Sequence, residues 1–230
     1  MKLILLLLLI LSTTADAQDR RRGMMRAPAA GGSGLLIDEN FEGTGTPSGF
    51  TVLEASGLDF DNTSSPLTGA QDCLMGLVGS PDWQVSFTAS AETWITFTFK
   101  KDGNPSTGIT FFYGIAGAQY MGIIMNSDDT IRLSQTGAGV GSSTVDTVAD
   151  ATKIYFFLHV AKGSGANAVY DVEFNTSNSR TGSGNKFTSY TSGTITSNFD
   201  KGEGYKDVGA WVGSVWQLDD LKISNTGWPP

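Results

Sequence analysis

Four ring-bearing side chains are the first candidates for chemistry in this chain: Trp94, Tyr155, His159 and Trp211. In two strongly alternating segments, apolar residues occupy one phase, whereas Trp94, Tyr155 and His159 occupy the polar phase. Ring faces beside polar groups suit stacking on a sugar ring, so we predict that these four residues bind carbohydrate. The alternative is that a long loop, such as residues 175–197, covers them and that they pack.

The elements that must position these side chains are short strands. Residues 94–99 and 153–161 alternate clearly, and residues 108–115 and 119–125 predict a hairpin. Further strands are predicted at 130–135, 168–175, 208–212 and 215–224, and residues 175–197 read as a long loop or weak edge strands. No segment carries a helical stripe over three turns. The pattern therefore predicts an all-β antiparallel sandwich or closed barrel.

The first residues have the pattern of a secretory signal. Lys2 precedes an apolar run from Leu3 to Leu11, and Ala15-Asp16-Ala17 offers a cleavage site after Ala17. We therefore expect residues 1–17 to be a signal peptide and the protein to be secreted. The apolar run is too short to span a bilayer, which needs roughly 20 residues, and no other segment is apolar enough.

Two regions follow the signal. Residues 18–34 are rich in Arg, Gly, Ala and Pro, which predicts a flexible basic arm of low complexity. It is either a linker or residual pro-segment, or an arm that adheres to an anionic surface. Residues 35–230 are predicted to be one domain.

Charge restricts the partners of the domain. Residues 35–230 contain 10 basic and 21 acidic residues, a net charge of −11. A body with this charge repels phosphate backbones, so nucleic acid is not an expected partner. A glycan or another cell-surface polymer is the expected partner.

Both ends of the domain carry a family resemblance. The segments Phe41-Glu42-Gly43, Pro47-Ser48-Gly49-Phe50 and Trp216 to Ser224 resemble the opening and closing strands of concanavalin A-like lectin and glucanase domains, including laminin-G-like jelly rolls. The resemblance spans nearly all of residues 35–230. It implies a two-sheet antiparallel jelly-roll sandwich of the concanavalin A-like type. Such domains occur in secreted glycan-binding proteins, in glycanases and in particle components.

The resemblance also allows enzymatic motifs to be tested. Jelly-roll glucanases carry Glu-x-Asp-x-x-Glu on one strand, and none of the six glutamates has that spacing; Asp171 and Glu173 are the nearest pair. Jelly-roll lyases carry an Arg-rich strand and Gln-x-His, whereas this domain has one histidine and two arginines, Arg132 and Arg180. These departures predict a domain that is not an enzyme.

Related jelly rolls often hold a structural calcium ion near the first Asp of the closing strand. The matching residue is Asp219, and Glu42 is a second candidate ligand. Asp219 and Asp220 point to opposite faces of a regular strand, so one carboxylate should be buried and need a partner. Calcium is one solution. A ring of backbone N–H donors, or a bulge that exposes both carboxylates, is the other.

Taken together, the residues favour a secreted, non-catalytic domain that binds carbohydrate on the concave sheet of the sandwich. The first alternative is a structural or adhesive component of a cell surface or virion that uses the sandwich as a rigid module. The second alternative is a glycan-active enzyme with an atypical site.

Overall fold

The computed structural model describes residues 34–230, so the predicted signal peptide and all but the last residue of the basic arm lie outside it. The described residues form no helix. They form fifteen strands, which are listed here with their bounds: β1 (Leu35–Glu39), β2 (Phe50–Glu54), β3 (Leu58–Asn62), β4 (Asp72–Met75), β5 (Asp82–Ser90), β6 (Glu92–Asp102), β7 (Ile109–Ala116), β8 (Gln119–Met125), β9 (Ile131–Gln135), β10 (Ala138–Val140), β11 (Ile154–Ala161), β12 (Ala168–Asn175), β13 (Phe187–Gly193), β14 (Phe199–Tyr205) and β15 (Val215–Ser224).

Two antiparallel sheets form the sandwich. Sheet A has the order β13-β12-β11-β6-β15-β4-β3, with β1 paired to β15. Sheet B has the order β10-β9-β8-β7-β14-β5-β2. The chain crosses repeatedly between the two sheets, and the predicted concanavalin A-like jelly roll is confirmed.

The core lies between the sheets because strands such as β6 and β11 carry large apolar residues on their inward phase. In β7, an irregularity between Thr110 and Phe112 accompanies the burial of both Phe111 and Phe112. Phe97 of sheet A stacks on Phe112 of sheet B with ring centroids 4.8 Å apart, and Phe99 meets Phe111 at 4.9 Å. All four rings are buried. This alternation explains why the predicted strands at 94–99 and 153–161 are confirmed.

One predicted strand is absent: residues 208–212 form a turn. The segment 175–197 contains the edge strand β13, in agreement with the second of its two predicted descriptions. Strand β14 was not predicted at all. Its inward positions are Gly202 and Gly204, so the strand carries no apolar alternation that a sequence pattern could show.

The glycines of β14 make room for a core tryptophan. A Cβ atom at Gly204 would lie 2.5 Å from ring carbons of the fully buried Trp83, whereas a Cβ at Gly202 would come no closer than 3.4 Å to its neighbours. Strand β14 can therefore sit centrally in sheet B only if position 204 has no side chain.

Replacing Gly204 by alanine should destabilise the domain by about 1–3 kcal/mol, because Trp83 must move within a packed core. Chemical denaturation of the purified protein measures this loss. Gly202→Ala is the matched control on the same strand and should cost clearly less. Equal losses for the two variants would contradict the steric explanation.

Candidate functional site

A group of polar side chains converges on the outward side of sheet B. Strand β14 presents Lys201 and Glu203, because its glycines occupy the inward phase. In the strand register, Glu203 lies opposite both Gln84 of β5 and Tyr113 of β7. With Tyr120 of β8, these residues line an open cavity of about 380 Å³, which we call the front cavity.

Glu203 is the carboxylate of this cavity. Gln84 Nε2 donates a hydrogen bond of 2.5 Å to Glu203 Oε2, which orients the carboxylate. Partial burial raises the pKa of Glu203 above its ordinary value, and this effect outweighs the Gln84 hydrogen bond and the charge of Lys201. Glu203 is therefore a stronger base than an exposed glutamate.

Tyrosines form the opposite wall of the front cavity. The rings of Tyr113 and Tyr120 meet edge to face with centroids 5.2 Å apart. Burial, with a smaller contribution from the charge of Glu203, raises the pKa of Tyr113 to about 12, although a hydrogen bond with Thr110 opposes the shift. The phenol of Tyr113 thus keeps its proton at neutral pH and can donate it.

A second carboxyl group lies one step along the same side of the sheet. Asp82 of β5 pairs with Tyr205 of β14, next to the pair formed by Gln84 and Glu203. Burial and the nearby charge of Glu203 raise the pKa of Asp82 to about 7. Its Oδ1 atom is buried and has no hydrogen-bond partner.

The front cavity thus combines a basic carboxylate, a protonated phenol, an ammonium group and aromatic rings. A proton acceptor and a proton donor that face one open space can act together on a bound molecule as general base and general acid. The arrangement is suited to proton transfer on a polar ligand.

Three of the predicted carbohydrate-binding residues lie on the opposite side of the sandwich. Trp94, Tyr155 and His159 all face outward from sheet A, on β6 and β11. The rings of Trp94 and His159 stack at 5.2 Å. The imidazole of His159 also bonds Asp171 Oδ2 at 3.0 Å and Glu92 Oε1 at 2.8 Å, which makes it part of a bonded cluster.

Part of this outward side of sheet A is covered. Trp228, near the end of the chain, contacts the rings of His159 and Phe157. Buried Glu173 holds the loop after β12 by accepting bonds from the Thr181 and Gly182 backbone N–H groups at 2.8 and 2.6 Å. Covering of this kind was the alternative for these aromatic residues, and carbohydrate binding by Trp94 and His159 stays a prediction.

Trp211 lies away from the other three predicted residues, in the turn between β14 and β15. Its side chain is fully buried in the core cluster, so its ring offers no face to a ligand in this structure. Its position fits packing, which was the alternative to carbohydrate binding.

Asp219 and Glu42 both accept hydrogen bonds from backbone N–H groups. Asp219 is buried and accepts bonds from the Thr68 N–H at 3.0 Å, the Thr68 hydroxyl and the Asp220 N–H at 2.8 Å. Glu42 Oε1 accepts from the Ala70 N–H at 2.7 Å. Among residues 34–230, no three His, Cys, Asp or Glu side chains cluster as metal ligands. Hydrogen-bond donors, one of the two alternatives that the sequence left open, thus meet the Asp219 carboxylate, and calcium stays a prediction.

The buried carboxyl of Asp219 should make stability depend on pH. Burial raises its pKa from 3.8 to about 7, against hydrogen bonds from Thr68 and Asp220. The folded protein therefore binds more protons than the unfolded chain between these pH values, and stability falls as pH rises through that window. Asp219→Asn should flatten this dependence in chelator-treated protein, as followed by urea denaturation at several pH values. An unchanged slope would contradict the assignment, and stabilisation of only the parent protein by added Ca²⁺ would support calcium.

Sequence reasoning missed the front cavity. Its residues come from four strands, and Gln84 and Glu203 are 119 positions apart. The available signal was the segment Lys201-Gly202-Glu203-Gly204-Tyr205, in which polar and glycine residues alternate. Such alternation indicates a strand whose inward face is packed by side chains from other strands.

Comparisons with known proteins place this fold among carbohydrate-related structures. No protein-family model matches the chain, and no curated protein does. An endo-β-1,4-glucuronan lyase from the fungus Trichoderma reesei is similar at a TM-score of 0.57 and 14% identity, over 83% of this chain and 95% of the other. The cellulose-induced protein Cip1 gives 0.57 and 12%, over 84% and 100%. An alginate lyase in complex with an alginate trisaccharide gives 0.55 and 10%, over 84% and 99%.

These structures overturn the prediction of a non-catalytic domain, whether binding or structural. Several of the similar structures are polysaccharide lyases, so this fold supports catalysis of that kind. The motif test was wrong to exclude an enzyme because it required particular residues at short spacings. The front cavity draws its carboxylate and its phenol from strands that are distant along the chain and adjacent in the sheet. At these identities, the likeness itself establishes the fold.

Residues 34–230 contain no helix that is both long and apolar enough to cross a membrane.

Proposed function

We propose that this protein is a glycan-active enzyme that cleaves a uronate-containing polysaccharide by β-elimination in the front cavity. The observation that carries the proposal is the convergence of Glu203 and Tyr113, opposite each other on adjacent strands, in an open cavity. Lyases that act on glucuronan and alginate share the fold, which supports this class of reaction.

Each group has a role in this reaction. Glu203, oriented by Gln84, removes the proton from C5 of the uronate, and the electron pair forms the C4=C5 double bond. The C4–O4 bond breaks, and Tyr113 donates its phenolic proton to O4 of the leaving chain. Lys201 stabilises the negative charge that develops on the uronate carboxyl group. Tyr120 contributes a ring face at the wall.

The test is product analysis on glucuronan, alginate and a neutral β-glucan. β-Elimination produces a new reducing end together with an unsaturated uronate that absorbs ultraviolet light. Unsaturated product from a uronan supports the proposal. If no polymer is cleaved, or if reducing ends appear without unsaturated product, the proposal is wrong.

Hydrolysis is a second candidate, and the pair Asp82 and Glu203 favours it. Glycoside hydrolases use two carboxyl groups with separated pKa values, one as acid and one as nucleophile or base. The raised pKa of Asp82, about 7, suits the acid. New reducing ends without unsaturated product, lost in Asp82→Asn, would support this candidate.

Residues 1–17 fit the proposal as a cleavable signal peptide that delivers the enzyme to polysaccharide outside the cell, with residues 18–34 as a flexible arm. Amino-terminal sequencing of secreted protein would test cleavage after Ala17. We also propose that the domain is of the laminin-G-like type and that Asp219 helps to hold a structural calcium ion.

A further inference from the structure

A second cavity lies on the outward side of sheet A, away from the candidate active site. Its volume is about 120 Å³, and we call it the back cavity. Its polar lining consists of Thr96, Thr98, Asn178, Asp220 and Lys222, and Tyr155, Pro229 and Pro230 also line it.

An irregularity in β15 shapes this cavity. The pairing of β15 with β6 shifts register between Asp219 and Lys222, and Asp220 takes a positive φ of 49°. Such a bulge changes the direction in which side chains point, and bulges are common beside functional sites. Asp220 lies at the cavity, which Thr98 of β6, the register partner of Asp219, also lines.

The floor of the cavity contains an unused polar group. Thr98 is 1% exposed, and its Oγ1 atom is buried without a hydrogen-bond partner. Buried hydroxyl groups are nearly always bonded, so an unpaired one at a cavity needs an explanation. A ligand hydroxyl group would provide the missing partner.

The chemistry of the lining selects the type of ligand. Asp220 accepts hydrogen bonds, Asn178 donates them, and the threonine hydroxyl groups do both. Lys222 Nζ already donates one hydrogen bond, to the Pro230 carbonyl at 2.6 Å, and has two further N–H donors for a ligand. The charges of Asp220 and Lys222 cancel, so the lining does not favour a phosphate or another strong anion. Tyr155 adds a ring at the edge, and the ammonium group of Lys153 lies 5.1 Å from its centre.

We propose that the back cavity binds one sugar residue of a polysaccharide chain, as a second glycan-binding site on the side of the sandwich opposite the front cavity. A volume of about 120 Å³ is small beside the roughly 300–1,000 Å³ of sites for drug-sized ligands, which limits the contact to one sugar ring. Such a site would hold a polymer near the enzyme without taking part in cleavage.

Affinity gel electrophoresis tests this proposal, with hydroxyethyl cellulose and alginate as probes. The parent protein should be Glu203→Gln, so that binding is measured without cleavage. We expect retardation of the parent by one of these glycans. Thr98→Val should weaken binding about 2- to 10-fold, as expected for one lost hydrogen bond. Tyr155→Ala should weaken it at least as much.

The control is Thr93→Val on the same strand. The Thr93 hydroxyl is also buried and unpartnered, but Thr93 does not line the back cavity. Weaker binding in Thr98→Val but not in Thr93→Val supports the site. Thermal unfolding of both valine variants should match that of the parent, which excludes loss of folding as the cause. Unchanged binding in Thr98→Val and Tyr155→Ala, or no retardation of the parent by either glycan, would overturn it. Catalysis is measured separately on the wild type, so glycan binding without cleavage would contradict only the proposed function.

Discussion

Replacement of Glu203 by glutamine should lower kcat on the cleaved polysaccharide by about 10²- to 10⁴-fold, the usual contribution of a positioned general base. Glutamine keeps the shape of the side chain but cannot accept the C5 proton. Tyr113→Phe should cause a loss of similar size, because it removes the proton that the leaving oxygen requires. Initial rates of formation of unsaturated product measure both effects.

Two controls separate chemistry from folding. Glu54→Gln changes an exposed glutamate on the edge strand β2, and Tyr190→Phe changes a tyrosine on β13 of the other sheet. Neither should alter kcat by more than a small factor. If Glu203→Gln retained wild-type kcat, the front cavity would not be the place of proton abstraction.

The dependence of activity on pH provides a further check of the same assignment. Glu203 must be ionised to accept a proton, and burial raises its pKa. The acid limb of kcat/KM should therefore lie above the pH at which an exposed glutamate titrates. Tyr113 should add no basic limb near neutrality, because its pKa is about 12.

Whether a strand could be predicted from the sequence depended on which residues it turns toward the core. Strands β6 and β11 were clear from sequence because phenylalanine, isoleucine and leucine mark every second residue. Strand β14 was hidden because two of its inward positions are glycines, and the space at Gly204 is filled by Trp83. A pattern in one segment cannot show a side chain supplied by another.

The candidate site was less predictable than the fold for a related reason. From the sequence we selected aromatic rings at the polar positions of alternating strands. This choice gave Trp94, Tyr155 and His159, which lie on sheet A. The front cavity depends on the register that brings β14 between β5 and β7. Register between strands that are distant along the chain is a tertiary property, so the pairing of Glu203 with Tyr113 could not be seen beforehand.

Lys101 should be the charged residue whose loss costs the fold most. Its side chain has no exposed area, and its ammonium group donates hydrogen bonds to Asn104 Oδ1 at 3.1 Å and to the carboxylate of Asp150. It also forms an ion pair with Asp129 Oδ1 at 2.8 Å, without the geometry of a hydrogen bond. These contacts join the end of β6 to two loops. The Lys101 carbonyl also accepts a bond of 2.8 Å from the Ala151 N–H, which fastens the second loop again.

Lys101→Met should lower the free energy of unfolding by about 2–4 kcal/mol. Removal of one partner from a fully buried ion pair costs roughly 3–5 kcal/mol, and water partly compensates here because the Asp150 side chain is 49% exposed. Denaturant titration gives the difference. Lys100→Met is the matched control, because the neighbouring Lys100 makes only a long contact of 3.3 Å with the Ser65 carbonyl.

The two lysine variants also test what the ion cluster does for the fold. If the cluster fastens the loops locally, hydrogen exchange in Lys101→Met should accelerate first around residues 126–130 and 146–152, while β14 and the front cavity remain protected. Catalytic activity at temperatures well below unfolding should then be retained. Loss of activity in a variant that is still folded would instead show that these loops position the strands of sheet B, since the turn with Asp129 joins β8 to β9 and β8 pairs with β7.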